Sequence, residues 1–185
     1  FLGGDALAVD LGGGPGYLML ALPVRRRTLF AGRFAAAAVT GAVIGLVYFA
    51  FGAGTVQYFY ATIPAAILLS IGLAFLFLLA VLAVAFFFSS FFRNPTVSIV
   101  ASLLILIIGF PVVTSAGVLT GVEPWFSLDY GSQAITSVLA TNFAHETISH
   151  MGLGARRGQL TVYSFAPYPW EGATIMAVYL GIFLV

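Results

Sequence analysis

The sequence has very little charge. Only 7% of its 185 residues are Asp, Glu, Lys or Arg, whereas 61% are apolar. A soluble domain carries about 25% charged residues, because its surface faces water. So few charged side chains are not enough to cover a water-facing surface of this size. The composition therefore excludes a soluble enzyme domain and indicates an integral membrane protein.

Two residue types are absent altogether. Without cysteine the chain forms no disulfides, thiolate zinc sites or redox pairs. Without lysine it lacks the G-x-x-x-x-G-K-[ST] phosphate-binding loop, so we expect the glycine-rich run 12–16 to be a turn. The net charge of +1 is too small to favour nucleic acid as a partner. We expect no catalytic residue, no cofactor and no nucleotide site in this chain.

Long apolar runs predict the fold. A membrane-spanning helix needs about 20 mostly apolar residues, whereas a barrel strand would show about ten alternating ones. The sequence therefore predicts an all-α integral membrane protein, a polytopic helical bundle in the lipid bilayer. Because the chain begins without Met and stops inside an apolar run, we expect a fragment with three full spans and a truncated fourth. The predicted spans are 34–51, 65–88, 97–119 and 173–185.

The placement of arginine predicts the orientation, because basic residues accumulate in cytoplasmic loops. Five of the seven Arg residues precede the first span or lie between the second and third, and only Arg156 and Arg157 lie on the opposite side. We therefore expect segments 10–33 and 89–96 in the cytoplasm and the long loop 120–172 outside.

Two further features concern the outer half of the protein. Residues 133–143 of the long loop are expected to form a short amphipathic helix at the bilayer surface. Pro111 lies near the outer end of the third predicted span. Because proline lacks a backbone N–H, we expect a kink in the helix there.

The segment His145–His150 contains two histidines with Glu146 between them. The zinc-peptidase motif places its histidines four residues apart on one helix face. Here they are five apart, which rotates the second by about 140° on a helix. We therefore expect polar loop residues and no metal site. Two alternatives stay open: an intramembrane metal-dependent hydrolase using these two histidines and Glu146, and a membrane scaffold protein that transports nothing.

The stretch before the first span is the most informative. A short apolar helix is followed by a proline, a basic cluster and then the helix that enters the span. A plain positive-inside anchor would need no apolar helix before its proline. The residues concerned are Tyr17, Leu18, Leu20, Leu22, Pro23, Arg25, Arg26 and Arg27.

This order of features resembles the permease subunits of the ABC-2 family of ATP-driven transporters. The run Leu22–Arg26, followed by Gly32 and Arg33, is similar to the cytoplasmic segment between that family's second and third spans. Asp5 or Asp10 takes the place of its acidic residue, and a glycine-rich run replaces its usual Glu-Arg and Gly-Thr pairs. A long apolar span, a tight Arg-containing turn and a long outer loop before the last span are similar as well.

The resemblance implies transport across the cytoplasmic membrane of a prokaryote. It implies that residues 17–27 form a coupling segment that contacts a separate ABC ATP-binding subunit, which alone binds ATP. It further implies that a second permease chain, identical or different, is a partner. The first span and most of the second would precede this fragment.

Overall fold

The computed structural model describes residues 26–61, 64–92, 94–140, 143–152 and 159–184. The described part is mostly helical, with one antiparallel two-stranded sheet, and a π-helical turn at Ile105–Gly109 joins two of its helices. The helices are α1 Arg26–Tyr60, α2 Ala66–Phe91, α3 Pro95–Leu104, α4 Phe110–Thr120, α5 Leu128–Ser132, α6 Ala134–Ser137 and α7 Pro169–Leu184, and the strands are β1 Glu146–Gly152 and β2 Gln159–Phe165.

The predicted class, an all-α polytopic membrane protein, is confirmed. Within the described residues, three helical stretches are long and apolar enough to cross a bilayer: Arg27–Phe59, Ala66–Phe91 and Thr96–Thr120. The last helix, α7, is a shorter apolar one. The β1–β2 hairpin is an addition to this class that the sequence reasoning did not foresee.

The first helix begins earlier than the predicted span. It starts at Arg26 instead of Phe34, so Arg27 and Arg33 are helical. With 35 residues at about 1.5 Å each, α1 is about 52 Å long, well beyond the roughly 30 Å hydrocarbon core. Hydropathy marks where charge ends, but the helix continues past that point because arginine is a good helix former.

The second helix lies at the centre of the bundle. It packs against α1, α3 and α7, and Ala80, Val84 and Phe86 on it are at most 1% exposed. Between helices in lipid, close packing replaces the hydrophobic effect as the attractive force, and small residues permit it. Gly41 of α1 is one such residue, since a Cβ there would lie 2.9 Å from Cδ1 of Leu78 in α2.

The third span contains the irregularity that Pro111 predicts. The backbone N–H of Phe110 donates to the carbonyl of Ile105, five residues earlier. Proline at the next position has no N–H, and its ring collides with the carbonyl four residues before it in a regular helix. The wider π-helical turn Ile105–Gly109 gives the ring room. The structure therefore accommodates Pro111 through a π bulge between α3 and α4.

The long loop after α4 folds back onto the helix ends. Gly121 ends α4 with φ of +70°, a left-handed conformation that favours glycine. The buried hydroxyls of Thr114 and Ser127 lie 2.9 Å apart and form a hydrogen bond. Ser70, in the second turn of α2, donates to the carbonyl of Ile135 at 2.7 Å. These contacts hold α5 and α6 against the ends of α2 and α4.

The predicted helix at 133–143 is wrong in extent. Helix α6 covers only Ala134–Ser137, where Ser137 Oγ bonds both the Ala134 and the Pro167 carbonyl oxygens at 3.1 Å. Such hydroxyl bonds compete with helix continuation. The loop then forms the antiparallel hairpin, in which Glu146 pairs with Phe165 and Ile148 with Tyr163.

Candidate functional site

The predicted coupling segment lies mostly outside the described residues. Positions 17–25 are not among them, while Arg26 and Arg27 form the first turn of α1 and Arg27 is exposed. The role of this segment in binding an ATPase therefore stays a prediction.

We call residues 120–172 the outer loop, after the side of the membrane expected for them. Three potential ligand side chains from distant parts of the chain meet there. Glu123 follows the end of α4, His145 directly precedes β1, and Glu171 lies in the first turn of α7. One carboxylate oxygen from each Glu and one ring nitrogen of the His lie within 4.8 Å of one another. We call these three residues the outer cluster.

The His145 ring is fixed from two sides. Its Nδ1 lies 2.8 Å from the Ala166 carbonyl oxygen, and the backbone N–H of Ala166 donates to the His145 carbonyl at 2.9 Å. The ring stacks on Tyr168, with centroids 4.8 Å apart and planes 19° from parallel. Because a carbonyl only accepts, Nδ1 carries a proton. That leaves Nε2 facing the cluster, 3.7 Å from Oε1 of Glu123.

Glu171 is held by the start of its own helix. Pro169 begins α7, a position that suits its fixed φ. Oε2 of Glu171, two residues later, accepts the backbone N–H of Tyr168 at 2.9 Å. This is the reciprocal arm of a capping box, in which a Glu at the third helical position satisfies a free N–H. A carboxylate in the first turn also interacts favourably with the helix dipole.

Glu123 is held by Tyr130. The Tyr130 side chain, from α5, is 1% exposed, and its phenolic O–H donates a hydrogen bond to Oε1 of Glu123. Burial raises the pKa of Tyr130, and the hydrogen bond and negative charge of Glu123 raise it further. The phenol therefore stays protonated and acts as a donor throughout the physiological range.

We expect Tyr130→Phe to destabilise the outer loop. The change removes one oxygen and leaves the Glu123 carboxylate without this donor, and a hydrogen bond to a charged group is worth about 1.5–3 kcal/mol. Because Glu123 is 35% exposed, water compensates in part and the lower end is expected. The measurement is a thermal melt of the purified protein in detergent. Tyr58→Phe is the matched control, since Tyr58 is 84% exposed; equal melting of both variants would contradict the assigned bond.

The structure does not bring His145, Glu146 and His150 together on one helix face, as a zinc-peptidase motif would require. Residues 146–150 belong to β1, so this segment lacks the helix that a zinc-peptidase motif requires, and Glu146 is exposed. The neighbours of His145 are instead Glu123 and Glu171, which sequence spacing did not connect to it. The one local signal was the proline and glutamate at the start of α7, which is typical of a helix N-terminus.

Large apolar side chains cover the outside of the helices. Among those at least 60% exposed are Ile44, Tyr48 and Phe51 of α1, Leu68 of α2 and Ile107 of the π turn. Apolar surface of this extent is covered by lipid or by another protein chain. This is the surface of a multi-pass membrane protein.

Comparison with protein families gives the class of this membrane protein. A family model described as "ABC-2 family transporter protein" matches residues 1–185. The chain therefore belongs to the ABC-2 family of transporter proteins, as the segment around Leu22–Arg26 predicted, and it is a permease-type membrane component of an ABC transporter. Comparison with curated proteins and with solved structures gave no match.

Proposed function

We propose that this chain is the membrane-spanning subunit of an ATP-driven transporter in the cytoplasmic membrane of a prokaryote. A separate ATP-binding subunit supplies the energy, and a second permease chain, identical or different, completes the pathway. The observation that carries the proposal is the family match over residues 1–185. The chain itself acts as a transport subunit with no ATPase site of its own.

The use of polar groups inside the described bundle supports a pathway shared between two chains. The Ser102 hydroxyl donates to the Ser98 carbonyl at 2.7 Å, and the Thr114 hydroxyl bonds Ser127. These buried hydroxyls are occupied within the chain and are not free to line a route for substrate. The outward faces of the helices, by contrast, are available to a second permease, and we place the pathway there.

Coupling requires that the ATPase bind the permease differently in its two nucleotide states. A partner shifts a conformational equilibrium only by its difference in affinity for the two conformations. We assign this contact to the coupling segment, residues 17–27. Closure of two ATP-binding subunits would then move two permease chains between inward-open and outward-open states.

Purification with the candidate ATPase tests the proposal. The tagged chain is co-expressed with the product of a neighbouring reading frame that carries Walker motifs. We expect the two to co-purify from membranes and to hydrolyse ATP, and we expect a variant ATPase lacking its Walker lysine to co-purify without hydrolysis. A folded chain that never recruits the ATPase would favour the scaffold alternative, and peptide or ester turnover by the chain alone would favour the hydrolase.

We expect the outer loop and the α2–α3 turn to lie on opposite sides of the membrane. Single cysteines report this cleanly, because the native chain has none. Ala144 in the outer loop and Asn94 in the α2–α3 turn are both exposed and provide a matched pair. Gly131 of the same loop is a poor position for a cysteine, because a Cβ there would lie 3.2 Å from the Ile175 side chain.

In intact cells, a membrane-impermeant maleimide should label Ala144→Cys at once and label Asn94→Cys only after permeabilisation. This expectation rests on the excess of arginine around the first span and the α2–α3 turn. The opposite labelling pattern would invert the topology and place the coupling segment away from any cytoplasmic ATPase.

A further inference from the structure

We propose that the outer cluster binds one divalent transition-metal ion, zinc by its choice of ligands, through Glu123, His145 and Glu171. The inference concerns the loop between α4 and α7 and is independent of the transport function. It also departs from the expectation drawn from the His145–His150 spacing, since only one of those histidines takes part.

The donor set is one imidazole nitrogen and two carboxylate oxygens. Imidazole favours zinc and its neighbours over magnesium and calcium, which prefer oxygen ligands alone. Three protein ligands with a fourth position for water form a known type of zinc coordination. Two carboxylates that face each other within 4.8 Å repel, and a divalent cation between them converts this repulsion into attraction.

The distances are close to those of an assembled site. Two ligand atoms about 2.0–2.1 Å from a tetrahedral zinc lie about 3.3 Å from each other. His145 Nε2 and Glu123 Oε1 are 3.7 Å apart, and all three ligand atoms fall within 4.8 Å. Binding therefore requires that the His145 and Glu123 atoms approach by about 0.4 Å and that the widest pair in the cluster approach by at most about 1.5 Å.

Each ligand is oriented by a second group that does not belong to the cluster. The Ala166 carbonyl accepts a hydrogen bond from Nδ1 of His145 at 2.8 Å, which directs Nε2 toward the cluster. Tyr130 donates to Oε1 of Glu123, the same oxygen that lies 3.7 Å from Nε2 of His145. The Tyr168 N–H donates to Oε2 of Glu171. Such partners fix the tautomer and rotamer of metal ligands in metalloproteins. If the three side chains met only by chance, each of them would not need a further hydrogen bond that fixes its orientation.

The position of the site indicates its role. Its ligands come from the segment after α4, from the start of the hairpin and from the start of α7. A bound ion would join these three parts directly, in addition to the hydrogen bonds between His145 and Ala166 and between Tyr179 and Phe126. We therefore infer that the metal joins the outer loop to the last helix, with water in its fourth coordination position.

Metal binding is measured on the full chain in detergent or nanodiscs. The protein carries an affinity tag without histidine, is stripped with EDTA, and is then titrated with zinc chloride in a calorimeter. We expect one zinc ion per chain and a higher melting temperature in zinc than in EDTA. Cobalt as a substitute should show the visible absorption of a four- or five-coordinate site.

Glu171→Gln and Glu123→Gln are the test variants. Glutamine at position 171 keeps the capping interaction, and at position 123 it keeps an acceptor for Tyr130, so both are expected to fold. Each should weaken zinc binding at least tenfold. Tyr130→Phe, which leaves all three ligands in place, should weaken it by about tenfold through lost orientation.

Two neighbouring residues provide matched controls. Glu146→Gln removes an exposed carboxylate next to His145, and His150→Ala removes the other histidine of the loop. The His150 backbone lies on β1, five residues further along an extended chain, roughly 16 Å away. Both controls should bind zinc as the parent chain does.

Three results would overturn the proposal. The folded parent chain binds no zinc in the micromolar range; the Gln variants bind it as tightly as the parent; or His150→Ala abolishes binding. The first result would make the outer cluster a group of polar side chains without a metal, and the others would place the metal elsewhere. ATPase recruitment is scored separately in the same preparations, so failure of the metal site leaves the transport proposal standing and the reverse also holds.

Discussion

Replacing Tyr17 and Leu20 together by alanine is expected to abolish co-purification of the ATP-binding subunit while leaving the permease inserted in the membrane. The sequence predicts a short apolar helix here, and a helix of this length is marginal alone in water. Burying a large apolar side chain against a partner contributes about 1.5–3 kcal/mol. Loss of both side chains should therefore weaken the binding free energy by about 3 kcal/mol or more, which lowers the affinity for the ATP-binding subunit by at least about 100-fold.

The basic cluster Arg25–Arg27 should contribute less than the apolar residues to binding of the ATP-binding subunit. An exposed arginine contact contributes about 0–1 kcal/mol, so Arg25→Ala alone should reduce recruitment only a few-fold. Leu46→Ala with Tyr48→Ala is the matched apolar control. These two side chains of α1 are 51% and 75% exposed and lie within the span, out of reach of a cytoplasmic subunit. Normal recruitment and transport by the Tyr17 and Leu20 variant would reduce the segment to a membrane anchor.

Replacing Gly172 by valine should disrupt the packing of α7 against the outer loop. A Cβ at this position would lie 2.3 Å from Cβ of Ala134 and 2.9 Å from the Gly131 carbonyl oxygen. Neither neighbour is the end of a flexible side chain, so the helix itself has to move. Overpacking costs about 1–3 kcal/mol and sometimes more, and here the displacement would also carry Glu171 away from the outer cluster.

A thermal melt and limited proteolysis of the loop measure this effect. The variant should melt well below the parent and be cleaved faster between α4 and α7. Gly181→Val is the control on the same helix, since a Cβ there meets nothing within 4 Å. If both valine variants behave alike, the close approach of α7 to α5 and α6 is not a feature of the protein in solution.

Sequence reasoning predicted the membrane architecture because lipid imposes a simple rule. Every backbone polar group in the hydrocarbon must be satisfied within the segment, so a long apolar run is a helix. Hydropathy thus found the runs that became α1, α2 and the third span, and α1 includes the stretch before Phe34 that was expected to lead into the span. It also located the helix irregularity at Pro111, because the proline ring and its missing N–H determine the local backbone geometry.

The outer loop was less predictable because its structure depends on long-range contacts. The hairpin carries a local signal, since β2 is rich in Thr, Val, Tyr and Phe, which favour strands, but a seven-residue strand is much shorter than the apolar runs that indicate membrane helices. The outer cluster carries no local signal. Glu123, His145 and Glu171 meet only after the hairpin and α7 are in place, and no spacing rule in the sequence connects them.

Site-specific crosslinking from Leu20 tests the central claim most directly. The native chain has no cysteine, so Leu20→Cys can carry a single photoactivatable group in membranes that contain both subunits. The account predicts a covalent adduct with the ATP-binding subunit, and none from the same group at Tyr48→Cys in the middle of α1. An adduct with lipid alone from Leu20→Cys, or equal yields of ATPase adduct from both positions, would contradict the assignment of this segment as the contact that couples ATP to transport.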